Sequence, residues 1–152
     1  MNIREHPLAW RWTDEKYALL PDNILREMFP VEETEAAGLF TRSLTFIRDT
    51  DLSPDIFTIT AISANPFSAE AGCRWLRERQ PDLSVPVVLS WDESTAIRTI
   101  WEVFTNYWDD FCYPSSDDVL VWPESESWVL LYHHAHEFRF GKRRAATRTR
   151  TR

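Results

Sequence analysis

From Ile97 to Phe111 the apolar residues Ile97, Ile100, Trp101, Phe104, Trp108 and Phe111 recur at spacings of three or four. That periodicity predicts a helix from Ser94 to about Phe111 with a wide apolar stripe. A stripe built of such large rings has to be covered by other elements. The rest of the chain must therefore supply a partner layer for a central packing helix.

The partner layer is visible in the apolar runs on either side. Residues Ile56 to Ile62, IFTITAI, are β-branched or apolar between proline-containing borders and predict a strand, as does VPVVLSW from Val85 to Trp91. After the turn YPSSDD, three further strand candidates follow at Val119 to Trp122, Trp128 to Tyr132 and Glu137 to Gly141. Their short polar links imply an antiparallel meander.

Helical signals fall between these runs. Ser68 is placed to cap AEAGCRWLRERQ, turning Cys73 and Leu76 inward, and Pro81 ends that helix. In EETEAAGLFTRSLTFI, residues Ala36, Leu39, Phe40, Leu44 and Ile47 share one face, with acids in the first turn and Arg42 near the end. Two short helices are expected near the N-terminus, Asp14 to Leu20 and Asp22 to Phe29, separated by Pro21. The whole predicts an α+β fold, several helices on a mostly antiparallel sheet that ends in a three-stranded meander.

Length and composition agree with one domain. A chain of 152 residues can bury a core without disulfides or a structural metal, and 43% hydrophobic residues with eight tryptophans supply one. The globular domain is expected over 1–141, followed by a disordered basic tail over 142–152, where Thr and Arg alternate without apolar periodicity. Six of the 17 Lys and Arg residues lie in that tail and all 24 acids precede it, so 1–141 sets eleven cations against 24 acids, a net −13. Such a body disfavours specific nucleic-acid binding and suits either a basic protein partner or simple solubility.

No stretch approaches the roughly 18 apolar residues of a membrane span, and MNIREHPLAWRW lacks the basic-then-apolar order of a signal peptide. A cytoplasmic protein with reduced Cys73 and Cys112 is expected. Only Gly38, Gly72 and Gly141 occur, none grouped, so no phosphate-binding loop and no nucleotide cofactor are expected.

The densest chemistry lies in NYWDDFCYPSSDD, from Asn106 to Asp118. Asp109 and Asp110 fall where a helix would end, against the dipole, and Asp117 and Asp118 follow the Pro-Ser-Ser turn. Converging carboxylates can bind a hard cation, act as an acid/base pair, or capture Lys and Arg of a partner; as a solvated turn they would satisfy only local backbone groups. Their spacing fits no calcium loop. Cys112 beside four acids should hold its proton, which argues against a nucleophile. The cluster HHAH, His133 to His136, would place His134 and His136 on one face of an extended chain, but the segment reads as the polar bend of a hairpin, and no metal is expected there.

The pattern W-E-V-F-x-x-Y-W-D-D-F from Trp101 to Phe111, the acidic turn, the paired strands and the closing F-G-K-R at Phe140 to Arg143 resemble small uncharacterised bacterial families. In size, acidity and α+β style the chain also resembles immunity proteins that neutralise polymorphic toxins. That resemblance implies a non-enzymatic inhibitor of a basic protein and transfers no site residue. The partner-binding edge is expected at Asp109, Asp110, Tyr113, Asp117, Asp118 and Trp122, since aromatic anchors beside charges are a common interface composition. Asp109→Lys with Asp117→Lys is expected to weaken binding and leave the fold intact. The alternatives are a small metal-dependent hydrolase using the Asp and His residues, and a structural homo-oligomer.

Overall fold

The computed structural model describes residues 1–145. After a 3-10 turn at Ile3–Glu5, the chain forms α1 (Trp10–Thr13), β1 (Ala18–Leu19), α2 (Asp22–Leu25), β2 (Phe29–Pro30), α3 (Glu33–Leu44), β3 (Ile47–Arg48), β4 (Asp51–Leu52), β5 (Phe57–Ser63) and α4 (Ala69–Arg79). It continues through β6 (Pro86–Asp92), β7 (Thr95–Ile100), α5 (Trp101–Asn106), α6 (Trp108–Phe111), β8 (Val119–Pro123), β9 (Trp128–His133) and β10 (Glu137–Arg143). Seven strands make one antiparallel sheet in the order β2-β7-β6-β8-β9-β10-β5, and β3 and β4 form a separate hairpin. The fold is α+β, with β8, β9 and β10 as the expected meander. Among the described residues no helix is long and apolar enough to cross a membrane.

The central strands are apolar on both faces because both faces are covered. Val119 and Val121 of β8, Trp128, Leu130 and Tyr132 of β9, and Phe138 and Phe140 of β10 face a core shared with Leu76 of α4, Trp101 and Phe104 of α5, and Trp108 and Phe111 of α6. The alternate residues Leu120, Trp122, Val129 and Leu131 face a second core, closed by Phe46, Leu52 and Phe57 with Leu39 of α3 packed against it. Each fully buried large side chain contributes about 1.5–3 kcal/mol. The sheet is thus held between two layers, and strand alternation decides which layer each residue meets.

The helix expected from Ser94 to Phe111 is broken. Thr95–Ile100 forms β7, paired with β6, and helix begins only at Trp101. Four of the six β7 residues, Thr95, Ile97, Thr99 and Ile100, are β-branched, which favours the pleated strand. Asp92 starts the reversal by accepting the Ser94 N–H at 2.8 Å. The remaining helix is itself interrupted at Tyr107, whose φ of −125° and ψ of 27° separate α5 from α6.

Three other expectations shift. Asp14 to Leu20 is not a helix: α1 lies earlier, Asp14 Oδ1 accepts the Lys16 N–H at 2.9 Å, and the chain doubles back so that Leu19 pairs with Thr13. The next helix stops at Leu25, and Phe29–Pro30 joins the sheet edge beside β7. In α3 the inward positions include Ala36 and Ser43, while Leu44 is exposed and Ile47 belongs to the β3–β4 hairpin. Strand β10 runs through Lys142 and Arg143, opposite Thr58 and Phe57; residues 146–152 of the expected tail lie outside the described residues.

Helix α4 forms as its cap implies, with Ser68 Oγ accepting the Ala71 N–H at 3.1 Å and Leu76 buried, although Cys73 is only half-buried. Gly72 lets α4 approach α6 closely. A Cβ added there would lie 2.5 Å from the Trp108 indole, whose N–H donates to the Ala69 carbonyl at 2.8 Å.

Candidate functional site

Helix α6 is only one turn long, and its end is tied down by two indoles. The Trp12 N–H donates to the Asp110 carbonyl at 3.0 Å and the Trp91 N–H to the Phe111 carbonyl at 2.9 Å. Carbonyls that a helix end leaves without partners are thereby satisfied, and the break at Tyr107 puts Asp109 and Asp110 in the first turn of a new helix, not at the end of a long one as expected. Asp109 is exposed and Asp110 half-buried. Burial, and then the neighbouring charge of Asp109, push the Asp110 carboxyl up to about 6.

Tyr113 follows on the same edge. Its ring lies 4.0 Å from the Arg11 guanidinium carbon, and Trp10 meets it edge-on at 5.9 Å. Trp10 in turn contacts Tyr17 edge-on at 4.7 Å. Trp10 is 40% exposed and Tyr17 51%, so this cluster presents aromatic surface outward. Asp110 is close enough to help raise the Tyr113 phenol, behind the larger effect of burial and against the opposing Arg11 charge. Asp14 and Glu15 line a shallow hollow beside Trp10.

Two of the residues assigned to this edge do not reach the surface. Asp117 is 7% exposed: Arg11 donates to its Oδ2 at 2.6 Å and to its Oδ1 at 3.1 Å, and the Tyr113 N–H donates to Oδ2 at 2.9 Å. Its oxygens serve the fold, anchoring the turn and the cation beneath Tyr113. Trp122, 3% exposed, belongs to the second core, stacked edge-on against Phe46 at 5.4 Å. The edge therefore comprises Asp109, Asp110 and Tyr113 together with Trp10 and Tyr17. The last two come from the N-terminal segment, where a charged residue between two tryptophans in LAWRW hints that the rings point different ways: Trp12 is fully buried and Trp10 is out.

Asp118 leaves the turn on the other side. Val119 pairs with Tyr132, and one step further along that register Asp118 comes opposite His133, where β9 ends. Asp118 Oδ1 accepts the His134 backbone N–H at 2.9 Å and lies 3.0 Å from His134 Nδ1. The His133 and His134 rings are 4.1 Å apart, and one ligand atom from each of Asp118, His133 and His134 lies within 4.8 Å of the others. His136, expected to share a face with His134, instead closes the bend with φ 61° and places Nδ1 2.6 Å from the Tyr132 hydroxyl. A three-residue hairpin loop ending in a left-handed residue explains why simple alternation failed there. Cys112 is buried, and burial followed by the Asp117 charge pushes its thiol well up.

No family model, no curated protein and no solved structure matches this chain.

Proposed function

We propose that this chain is a non-enzymatic binding protein, of the immunity-inhibitor kind, that engages a basic protein through the acidic aromatic edge of Trp10, Tyr17, Tyr113, Asp109 and Asp110. The observation that carries the proposal is the outward aromatic cluster, held from below by the buried Arg11–Asp117 pair and rimmed by carboxylates. Rigid, amphipathic rings lose little entropy on binding and are favoured as interface anchors. The described residues 1–145 set 14 cations against 24 acids, a net −10 that attracts a cationic partner.

The test begins with a partner captured from lysate of the native host, purified, and titrated against the wild-type chain. Trp10→Ala with Tyr17→Ala is expected to weaken the complex at least tenfold. Asp109→Lys with Asp110→Lys should weaken it most at low salt. Affinity unchanged by both double substitutions overturns the proposal.

A further inference from the structure

We propose that Asp118, His133 and His134 form a divalent transition-metal site of the zinc class, whose open coordination position faces a cleft between α3, the β3–β4 hairpin and the sheet. Strand alternation and the hairpin bend bring the three side chains together. On β8 and β9 the residues Leu120, Leu131 and His133 share the face turned toward α3, and Asp118, two positions before Leu120, falls on the same side. The hairpin bend then brings His134 back beside Asp118. One carboxylate and two imidazoles are a donor set suited to zinc, and a three-ligand set leaves a fourth tetrahedral position open.

The spacing fits after a small adjustment. Metal–donor bonds of about 2.0–2.1 Å put tetrahedral donors about 3.3 Å apart. Asp118 Oδ1 and His134 Nδ1 already lie at 3.0 Å, where a metal ion would replace the proton between them. His133 Nδ1 accepts the Ala135 N–H at 3.1 Å, an exposed amide that water can satisfy when the ring turns to the metal.

An independent feature points to a ligand beside this site. The cleft holds about 410 Å³, has a floor of Leu44, Leu120 and Leu131 with Asp49 and Asp92 on its rim, and has all three ligand residues in its wall. Ser90 also lines it, is 2% exposed, and its Oγ has no hydrogen-bond partner among the described residues. Buried hydroxyls are nearly always paired, and this one is closed off behind the cleft wall, so a ligand's polar atom would reach it only once the wall opens. The ligand class is a small molecule with an apolar body and an anionic or carbonyl head that completes the metal's coordination.

The experiment titrates Zn²⁺ by calorimetry into full-length, chelator-treated protein at pH 7.5. One site of micromolar affinity or tighter is expected, weakened at least tenfold by Asp118→Asn, His133→Ala and His134→Ala and unchanged by Asp109→Asn, with near-UV circular dichroism confirming that each variant is folded. Absence of a saturable site, or affinity that survives both histidine substitutions, overturns the site. The cleft is tested with Co²⁺-loaded protein and octanohydroxamic acid as the probe. A change in the visible cobalt spectrum that Leu44→Trp abolishes supports an open position facing the cleft; a spectrum indifferent to the probe, or a change that Leu44→Trp leaves intact, overturns that part.

Discussion

Asp117→Ala should be among the most damaging single changes in the protein, although the residue lies in an acidic, serine-rich turn. The Arg11 and Asp117 side chains are 7% and 8% exposed, and they meet in a two-pronged contact at 2.6 and 3.1 Å. Removing the carboxylate strands a buried guanidinium whose Nε already has no partner, and removes the acceptor of the Tyr113 N–H. Breaking a buried ion pair from one side costs about 3–5 kcal/mol, and an orphaned amide adds about 1–3 kcal/mol where water cannot reach it. Tyr113 is half-buried, so its amide recovers part of that from solvent, leaving an expected loss of about 4 kcal/mol. Against a total stability of roughly 5–15 kcal/mol, such a loss leaves a marginal fold. Urea unfolding followed by tryptophan fluorescence measures it, and Arg11→Met combined with Asp117→Ala should be far less harmful than the two single losses summed, because no charge is then left buried alone. A loss below about 1 kcal/mol for Asp117→Ala, or strict additivity in the double variant, refutes the reasoning. The same contact corrects the expectation that Asp117→Lys spares the fold, since the new cation would face Arg11. Asp109→Lys, on the exposed side, should stay within about 0.5 kcal/mol of wild type.

Two further outcomes follow from local geometry. Gly72→Ala sets a methyl 2.5 Å from the Trp108 ring, and overpacking of that kind costs about 1–3 kcal/mol, measurable as a lowered urea midpoint with unchanged slope; an unchanged midpoint would show that α4 and α6 can part freely. For Asp110, the folded carboxyl holds its proton up to about 6 against an ordinary value of 3.8, so the stability it contributes is full below 3.8 and lost as pH rises through 6. A rise of that size would be worth about 3 kcal/mol at full burial, and solvent screening of a half-exposed group reduces it to about 1 kcal/mol. Asp110→Asn should therefore match wild type near pH 4 and exceed it by about that amount at pH 8; a difference independent of pH would contradict the assignment.

The candidate edge was only partly legible in the residues. Asp109, Asp110 and Tyr113 lie where the run of aromatics and acids suggested, but Trp10 and Tyr17 reach them from about a hundred positions away, and a local pattern carries no signal for that contact. The metal-type cluster was half legible: the histidines were conspicuous, but His133 rather than His136 joins His134, because the loop ends in a left-handed residue that breaks alternation.

What the chain determined by itself is the set of elements whose local and periodic signals agree. Strands β8 to β10 and the Ser68-capped helix α4 belong here, because β-branching, capping and burial all favour one conformation. Where signals conflicted, tertiary structure decided. Thr95 to Ile100 carries both a helical spacing and a β-branched composition, and pairing with β6 selects the strand. Asp117 and Asp118 are the same residue type side by side, yet one goes into the core and the other to the surface. Entry into β8 turns neighbouring side chains to opposite sides, and only Arg11, 106 positions earlier, makes the inward one tolerable, since a buried carboxylate needs a buried cation.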